Sequence, residues 1–413
     1  MLVFEPIKDA AQLAAHHETQ LQRLLAHFHL SKAEKQYTIP KGLASKEAIT
    51  LKTSGTQSLV SREYRYPRNN FIATATYVSR LIEQEFGLTR AGKVLICNYR
   101  AAVDPAHNFI IHRARSSTAT YGLKNSLYHF AYNRDFNTKN LQEVWQEIIR
   151  LRFKIVVISP SQLDQWQYLA NSTVKIHALA IITGETLYPH TEAFAKSIFT
   201  RVTNKMRCWD GGLTFYPCRA GTKHVLDELC GVECDPVTQQ LFVTDYFNTV
   251  TPFIRYCNGD RGLIEVQQCV CGRFGTVFTE FYGKELTSLR LRNKIIEGQA
   301  IVGEIMAIVA GDWRPRHLPV PLQGAVLRKK DFLFNVMQKV DDKVVVTVQT
   351  AEPFTPRESH YLKNIVSFVL FRDLSKQTKT AIELVFDSAV HETYARGANR
   401  KFLVVQRERS LFT

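Results

Sequence analysis

Two hydrophobic patterns alternate along the first half of the chain. Apolar residues at helical spacing predict helices, whereas short continuous apolar runs predict buried strands. The predicted helices are 8–29, 70–86, 141–151, 161–169 and 190–199, and the predicted strands are 93–98, 153–159 and 174–182. Strands that alternate with helices in this way indicate a parallel sheet with helices on its faces. Ligands of such sheets bind beyond the carboxyl ends of the strands, here after Ile158 and Ile182.

The second half of the chain has a different pattern. From Val232 onward, short strands at 240–244 and 262–267 predict a β-rich subdomain. Beyond a polar break around Gly283, predicted helices and strands are mixed; the helices are 300–309 and 356–368, and the strands are 324–327, 343–349, 381–386 and 401–406. We therefore predict an α/β fold, with a large N-terminal domain over residues 1–283 and a small α+β C-terminal domain over residues 284–413.

Length and composition agree with this organisation. The chain has 413 residues, of which 45% are hydrophobic, and this is enough for globular cores. No apolar run approaches the ~18 residues of a membrane-spanning helix, and the N-terminal segment lacks the apolar core of a secretory signal. Eight cysteines are too few for a disulfide framework in a chain of this length. We therefore expect a cytoplasmic protein with reduced cysteines and no membrane partner.

The net charge of +15 favours acidic partners. Nucleic acid, an acidic acyl carrier protein and phosphorylated substrates all fit this description. The basic residues are dispersed, and the sequence has no zinc-finger, helix-turn-helix or RNA-binding aromatic pattern. Net charge is thus the only feature behind nucleic-acid binding, which we do not expect. The oligomeric state stays open, with a homodimer among the options.

The segment Leu51–Ser58, which reads LKTSGTQS, places small hydroxyl residues around Gly55. Glycine lets the backbone turn sharply and approach a ligand closely. The flanking N–H groups and hydroxyls can then bind phosphate oxygens. Such a cluster alone is typical of an ordinary solvated loop. Its interpretation depends on the segments that follow it.

Four further segments follow in order. They are TGET at Thr183–Thr186, WDGGLTF at 209–215, VTPFIRYCNGDRG at 250–262, and CVCGR at 269–273 with Lys284 beyond it. Together with LKTSGTQS, they resemble the phenylacetate–CoA ligase-like branch of the acyl-adenylate-forming (AMP-binding) superfamily. The TPFIRYCNGDRG run is the most specific part, because it is similar to the PLIRYRTGD-type motif of that family. The motifs cover residues 48–290.

This resemblance implies ATP contacts in the first half of the chain. Gly184 and Glu185 match the turn that lines adenine. The β- and γ-phosphates would be bound by four residues of the phosphate loop, which are Thr53, Ser54, Gly55 and Thr56. Adenylation needs in-line attack of a carboxylate on the α-phosphate, so positioning and charge stabilisation dominate the catalysis.

The same resemblance implies contacts from the later motifs. Asp260 matches the aspartate that holds the ribose hydroxyls. Lys284 stands where the family has an arginine that also reaches the ribose and begins the interdomain hinge. The α-phosphate and the acyl carbonyl would be met by Gly211, Gly212, Leu213 and Thr214. The expected catalytic side chains are those of Thr56, Thr214 and Lys401.

Two departures from the family concern the phosphate loop and the adenine ring. Gln57 and Ser58 replace the second half of the usual TSGTTG loop. Gly211 stands where the family has an adenine-stacking tyrosine. Trp209 or Phe215 are the candidates to supply a ring in its place.

Two further departures concern charge. Phe215 replaces the glutamate that commonly supports Mg²⁺, and Ala398 stands where the family has a late catalytic lysine. Lys401 or Arg400 would reach the site through a shifted loop.

The cysteines after position 208 form a candidate metal site with one histidine. Structural zinc takes four nitrogen or sulfur ligands in a tetrahedron, and some members of the resembled branch carry a Cys…His…Cys-x-Cys zinc site. The best ligand set is Cys218, His224, Cys269 and Cys271, with Cys230 and Cys234 as substitutes. Reduced, buried cysteines beside a surface histidine are the alternative interpretation.

The resemblance implies ATP- and Mg²⁺-dependent activation of a carboxylic acid to an acyl-AMP. The acyl group would pass to the thiol of CoA or of a carrier-protein phosphopantetheine, or alternatively to an amine. Tyr121, Tyr128 and His129 would line the acid pocket and favour an aryl acid. The departures leave a second interpretation open, namely a degenerate adenylation fold that serves as a binding or scaffolding subunit.

Overall fold

The chain was analysed as a computed structural model. It describes residues 7–28, 30, 48–52, 63–88, 92–97, 109–113, 126–132, 138–160, 163, 175–184, 187, 189–208, 211–284, 288–291, 294–297, 301, 333–338, 344–349, 355–357, 359–360, 382–386 and 405–407. Residues 53–62, which contain the predicted phosphate loop, lie outside this part of the chain, and so do Trp209, Ala398 and Lys401.

In the part of the chain that the structure describes, the longer helices lie in the first half of the sequence, where apolar spacing predicted them. They are α1 (Ala10–His27), α2 (Arg68–Glu85), α3 (Thr138–Leu151) and α4 (Pro189–Ile198). The helix predicted at 161–169 falls outside the described residues except for Leu163. Helix α1 begins at Asp9, whose carboxylate accepts a hydrogen bond of 2.8 Å from the backbone N–H of Gln12. This N-terminal cap satisfies one of the backbone donors that the first helical turn leaves unpaired.

The strands extend through both halves of the chain. They are β1 (Ala48–Lys52), β2 (Glu63–Pro67), β3 (Lys93–Cys97), β4 (Phe109–Arg113), β5 (Ser126–Tyr132), β6 (Ile155–Ile158), β7 (Ile176–Thr183), β8 (Phe199–Arg207), β9 (Thr214–Pro217), β10 (Lys223–Val225), β11 (Cys230–Cys234), β12 (Gln240–Asp245), β13 (Tyr256–Gln268), β14 (Phe274–Lys284), β15 (Ser288–Leu291), β16 (Lys294–Glu297), β17 (Leu333–Gln338), β18 (Val344–Gln349), β19 (Ile382–Phe386) and β20 (Val405–Arg407).

A twelve-stranded sheet, in the order β11-β12-β13-β14-β10-β9-β8-β7-β6-β3-β5-β4, dominates the described structure. Strands β5, β3, β6, β7 and β8 are parallel to their neighbours in this run. Alternate residues of β7 enter two different cores. Ala180 and Ile182 pack with α3 and α4, whereas Leu179 and Ile181 pack with α1 and α2. The predicted parallel sheet with helices on both faces is therefore present.

Strand β8 joins the parallel and antiparallel parts of the sheet. Its middle pairs in parallel with β7, so that Lys205 lies beside Thr183. Its last residues, Met206 and Arg207, pair antiparallel with β9. The β-rich region thus begins at Thr214, before the predicted start at Val232, and it continues the main sheet. Single-strand patterns do not show this, because sheet membership depends on pairing between distant segments.

A smaller four-stranded sheet, in the order β19-β18-β17-β20, lies in the C-terminal part. Strands β18 and β19 confirm the predictions at 343–349 and 381–386, and β20 overlaps the predicted strand at 401–406. The predicted strand at 324–327 falls outside the described residues, as do most of the helices predicted at 300–309 and 356–368.

The chain divides into two compact units. One comprises Met1–Thr53, Arg62–Leu187 and Thr191–Phe281, and the other comprises Ser54–Ser61, Tyr188–His190 and Tyr282–Thr413. Helix α1 packs onto the β-rich part of the first unit, where Arg23 donates to the carbonyl of Tyr246 at 2.6 Å. None of the described helices combines the length and the apolar character that a bilayer crossing requires.

Candidate functional site

The Gly211–Gly212 pair forms a turn between β8 and β9. Both glycines have positive φ angles, of 106° and 75°, which other residues rarely adopt. A side chain on Gly212 would also meet Asp245, whose Cβ lies 2.7 Å from the position of a Cβ at residue 212. The turn therefore requires glycine at position 212 for two independent reasons. Thr214 follows at the start of β9, where its hydroxyl donates to the Gly212 carbonyl at 3.1 Å.

Asp260 is held inside the sheet. It lies within β13, is only 1% exposed, and is therefore not an ordinary turn residue. Its Oδ2 atom accepts a hydrogen bond of 2.7 Å from the side-chain amide of Asn258, and its backbone N–H donates to Asn258 Oδ1 at 2.9 Å. Gly259 between them has a φ of 77°, which bends the strand so that both side chains meet. The Asn-Gly-Asp run thus holds the Asp260 carboxylate in place through hydrogen bonds between its own residues.

Cys208 connects the glycine turn to Asp260. Its backbone N–H donates to the carbonyl of Leu213 at 2.8 Å, which closes the segment that contains both glycines. Its thiol donates to Asp260 Oδ2 at 3.2 Å. Cys208 therefore bridges the two motifs that sequence resemblance assigns to the nucleotide, with its thiol on Asp260 and its backbone N–H on Leu213. Sequence reasoning missed Cys208, which lies just outside the WDGGLTF segment and carries no motif signal of its own.

The structure corrects the proposed role of Phe215 as a replacement ring. Phe215 is 2% exposed, and its ring packs against those of Phe278 and Phe281 at centroid distances of 5.0 and 5.1 Å. It belongs to a hydrophobic core and is not available to stack on adenine. The ring beside Gly211 is instead that of Tyr256, whose Cδ1 lies 3.3 Å from the position of a Cβ at residue 211.

The remaining predicted nucleotide contacts are less fully described. Gly184 follows β7 with a φ of 95°, a conformation that favours glycine, and none of the described residues outside its chain neighbours lies within 4 Å of the position of a Cβ there. Glu185 lies outside the described residues. Lys284 ends β14 and belongs to the second compact unit. These residues keep their predicted roles as predictions.

Arg255, in the TPFIRY motif, has a structural role. Its guanidinium forms an ion pair of 2.9 Å with Glu233, and its backbone N–H donates to the hydroxyl of Thr244 at 3.0 Å. Its φ angle is 48°, a conformation that costs a non-glycine residue free energy. The contacts to Glu233 and Thr244 offset this strain and fix the chain just before β13.

A buried polar network lies behind the glycine turn. The Tyr66 hydroxyl donates to Asp245 Oδ1 at 3.3 Å, and Arg207 donates to the hydroxyl of Thr74 at 2.8 Å. Asp245 Oδ1 also accepts the backbone N–H of Phe247 at 2.9 Å. Burial raises the pKa of the Asp245 carboxyl, although these hydrogen bonds and the charge of Arg207 oppose the shift. The network fixes the carboxylate against which Gly212 packs.

Lys205 adds a second cation to β8. It is 8% exposed and lies two positions before Arg207, on the same face of the strand. Burial, and after it the charge of Arg207, lower the pKa of Lys205 to about 7. A lysine that loses its proton near neutral pH lies at the carboxyl end of β8, beside Thr183 of β7.

Cys218, His224, Cys269 and Cys271 come together at one end of the β-rich region. Their ligand atoms all lie within 4.8 Å of one another. Cys218 Sγ and Cys269 Sγ are 3.9 Å apart, and Cys271 Sγ lies 3.4 Å from His224 Nε2. A zinc tetrahedron with Zn–S of ~2.3 Å and Zn–N of ~2.0 Å places such pairs about 3.5–3.8 Å apart. The donor set and its spacing therefore fit a closed zinc site.

Two turns of the same form supply the three cysteines. In each, a glycine N–H donates to the cysteine carbonyl three positions earlier at 2.9 Å, and the pairs are Cys218–Gly221 and Cys269–Gly272. Both glycines have positive φ angles, of 83° and 90°. The repeated C-x-x-G spacing, CRAG and CVCG, is the sequence signal for these turns. The ligand set was predicted without this signal, from residue types, the Cys-x-Cys spacing and the resemblance.

His224 is presented to the cysteines from β10. Burial, and after it the charge of Arg273, lower the pKa of His224 to about 4, so the imidazole is neutral at physiological pH. A neutral imidazole is the form that binds a metal ion. Its Nδ1 atom has no hydrogen-bond partner among the described residues. The ring orientation therefore depends on packing instead of on an outer hydrogen bond.

Cys230 and Cys234, the substitute ligands, lie elsewhere. Cys230 is fully buried in a hydrophobic core, and the thiol of Cys234 donates to the carbonyl of Gly262 at 3.2 Å. Neither belongs to the Cys218 cluster. The first turn of that cluster also contacts α2, because the backbone N–H of Arg219 donates to the Glu85 carboxylate at 2.9 Å. The cluster thus ties the β-rich region to a helix of the main core.

Solved structures share the fold of this chain. A 2-hydroxyisobutyryl-CoA ligase in the postadenylation state, in complex with 2-HIB-AMP, aligns with a TM-score of 0.64 and 12% sequence identity. The alignment covers 99% of this chain and 92% of that one. The same ligase in complex with R3-HIB-AMP aligns with a TM-score of 0.60 and 12% identity, over 96% of this chain and 86% of that one.

A third neighbour is McyG A-PCP complexed with phenylalanyl-adenylate, with a TM-score of 0.52, 10% identity, and coverage of 95% of this chain and 73% of that one. No protein-family profile and no curated protein sequence matches the chain. The likeness is in fold, and it confirms the α/β fold class with a large sheet that the sequence predicted.

Proposed function

We propose that the protein activates a carboxylic acid with ATP, releases pyrophosphate, and passes the acyl group from the acyl-AMP to a thiol. The observation that carries this proposal is the contact between the glycine turn and Asp260 through Cys208. It joins two motifs, separated in sequence, that the resemblance assigns to one nucleotide. It does so in the fold of proteins whose structures contain 2-HIB-AMP and phenylalanyl-adenylate.

Each proposed ATP contact has a physical reason. Asp260 accepts hydrogen bonds from the ribose hydroxyls, since an ionised carboxylate is an acceptor only. Gly212 brings backbone close to the α-phosphate, and Thr214 places a hydroxyl there. The loop that contains Thr53, Ser54, Gly55 and Thr56 is proposed to bind the β- and γ-phosphates. Gly184 and Glu185 are proposed to line the adenine, and Lys284 is proposed to reach the ribose. Lys401 is proposed to stabilise the charge that develops at the phosphorus.

Magnesium enters this scheme bound to the phosphates of ATP. Phe215 occupies the position of the usual supporting glutamate and lies in a hydrophobic core, so this position supplies no oxygen ligand. Mg²⁺ keeps several waters and binds through few carboxylates together with substrate phosphates. Its proposed role is to neutralise charge on the triphosphate.

Zinc is proposed as a structural ion. Cys218, His224, Cys269 and Cys271 complete a four-ligand shell and leave no open position for catalysis. The site would hold the β9–β10 and β13–β14 turns together.

The acid and the acceptor are the finer parts of the proposal. We propose an aryl acid, as in the phenylacetate–CoA ligase-like branch. The ring of Tyr128 packs edge-on against Phe153 at 5.5 Å, so it contributes to the core as well as to any pocket. CoA is the proposed acceptor, and the net charge of +15 also suits an acidic carrier protein. A small C-terminal domain from residue 284 would rotate between the two half-reactions, in the cytoplasm.

Acid-dependent exchange of labelled pyrophosphate into ATP tests the proposal. A panel of aryl and short hydroxy acids should yield at least one acid that supports exchange by the wild type. Asp260→Asn should lower that exchange at least tenfold, because the amide adds a donor where two ribose donors approach. Asp235→Asn, which changes a half-buried aspartate in the β11–β12 turn, should leave it unchanged. Equal exchange by both variants would show that Asp260 does not contact the nucleotide.

A second candidate function is a nucleotide-binding subunit without catalysis. The buried Phe215 favours it, since the position has lost its metal-supporting carboxylate. This candidate predicts ATP binding with no exchange for any acid of the panel. Exchange with a single acid excludes it.

A further inference from the structure

We infer that Cys208 is a positioning residue that orients the Asp260 carboxylate for ribose recognition, an inference that rests on the proposed function. The thiol donates to Asp260 Oδ2 at 3.2 Å, and both residues are buried, with exposures of 9% and 1%. Cys208 lies at the end of β8 and Asp260 lies in β13, which are not neighbours in the sheet. A hydrogen bond between side chains therefore links two strands that do not pair through their backbones.

The hydrogen bonds around Asp260 show what this thiol contributes. Asn258 donates to the same oxygen at 2.7 Å, so Oδ2 is approached by two protein donors. A second donor that comes from a different strand restricts rotation of the carboxylate further than Asn258 alone. Recognition of the ribose hydroxyls depends on the plane of the carboxylate, because that plane sets the direction in which it can accept hydrogen bonds from them. Hydrogen bonds to an ionised acceptor are also stronger than neutral ones.

The backbone of Cys208 gives it a second function. Its N–H closes the segment that contains the glycine turn by donating to Leu213 at 2.8 Å. A shift of Cys208 would therefore move the α-phosphate turn and the ribose carboxylate together. We infer that Cys208 fixes the distance between the ribose and α-phosphate contacts of the nucleotide.

The test measures nucleotide affinity by isothermal titration calorimetry on the full chain, with ATP and with 2′,3′-dideoxy-ATP. Cys208→Ala removes the donor. Its affinity for ATP should fall about tenfold, the loss expected for one hydrogen bond to a charged acceptor. Its affinity for 2′,3′-dideoxy-ATP, which lacks both ribose hydroxyls, should stay within about twofold of the wild type. Cys208→Ser keeps a donor and should retain most of the preference for ATP.

Matched variants separate this effect from damage to the fold. Cys230→Ala removes a fully buried thiol that donates to the carbonyl of Leu226, and this variant should bind both nucleotides like the wild type. Cys208→Val fills the space of the thiol but has no hydrogen-bond donor. It serves as the test variant if Cys208→Ala does not fold. Equal losses for ATP and 2′,3′-dideoxy-ATP, or no loss for either, would overturn the inference.

The inference and the proposed function can fail separately. Ribose-dependent binding that is lost in Cys208→Ala, together with no pyrophosphate exchange, supports the positioning role and overturns the enzymatic function. Exchange by the wild type, with unchanged ribose preference in Cys208→Ala, overturns only the positioning role. A wild type that binds neither nucleotide overturns both.

Discussion

Cys218 Sγ and Cys269 Sγ lie 3.9 Å apart although the two residues are separated by 51 positions in the sequence. Each belongs to a tight turn closed by a glycine, and the two turns face each other across the end of the β-rich region. The two thiols form no disulfide, and their distance fits that of two sulfur ligands of one zinc ion.

We predict that the purified protein carries zinc in about equimolar amount and that the metal stabilises it. Cys271→Ser removes the exposed ligand, so it should lose most of the zinc and unfold at a temperature roughly 5–10 °C lower. Metal content by atomic emission and thermal unfolding measure the two effects. Cys234→Ser, which changes a cysteine outside the cluster, should retain zinc. Equal zinc in both variants would contradict the assignment.

The fold should not tolerate at position 215 the glutamate that the resembled family has there. Phe215 packs against Phe278 and Phe281, so Phe215→Glu buries an unpaired carboxylate and should destabilise the fold by more than about 4 kcal/mol. Phe215→Leu keeps an apolar side chain and should cost about 1–2 kcal/mol. Urea unfolding at neutral pH measures both. A Phe215→Glu variant as stable as Phe215→Leu would show that this side chain can leave the core.

Gly212→Ala should be far more disruptive than Gly221→Ala. The two glycines have similar φ angles, of 75° and 83°, so each substitution carries a backbone cost of about 1–2 kcal/mol. Only Gly212 also meets a buried side chain, that of Asp245, whereas the space around Gly221 is open. We expect an additional loss of about 2 kcal/mol or more at Gly212. Denaturant midpoints of the two variants give the comparison, and equal losses would argue against the close Asp245 contact.

Lys205 should make stability depend on pH in the alkaline range. Its pKa is lowered to about 7 in the folded protein, from an ordinary value of 10.5. Between these values the unfolded chain binds the proton and the folded chain releases it, so stability should rise as pH increases from about 7 to about 10. The slope approaches about 1.4 kcal/mol per pH unit.

Urea unfolding at pH 7.5 and 9.5 measures this slope. Lys205→Met should remove most of the rise between the two pH values, while Lys196→Met, at an exposed position of α4, should keep it. If the stability of the wild type changes between the two pH values by the same amount as that of Lys205→Met, the lysine stays protonated in the folded state.

The fold was largely predictable because its elements have strong periodicity. Continuous apolar runs predicted β6 and β7, because both faces of the parallel sheet are buried. Helical spacing of apolar residues predicted α1 and α2. Strand β8 was missed, since its sequence FTRVTNKMR is rich in polar residues. One of these, Arg207, donates to Thr74 beside the buried Tyr66–Asp245 hydrogen bond, and a hydrophobicity pattern does not report such polar contacts.

The candidate site was partly predictable. The zinc ligand set was predicted from residue types and resemblance, and the four residues are together in the structure. The role suggested for Phe215 was wrong, because the direction of a side chain on a short strand depends on the partner strands. The roles of Thr53–Thr56, Glu185 and Lys401 stay predictions.

The sequence by itself determined the fold class, the order of the motifs and the residues that make up the Cys/His cluster. These properties depend on local periodicity and on residue chemistry, which a single chain carries at each position. Only the tertiary structure decided that Cys208 contacts Asp260 and that Phe215 faces a core. It also decided that the β-rich region continues the parallel sheet. Each of these depends on pairing between strands far apart in the chain, and that pairing is set by the packing of the whole sheet.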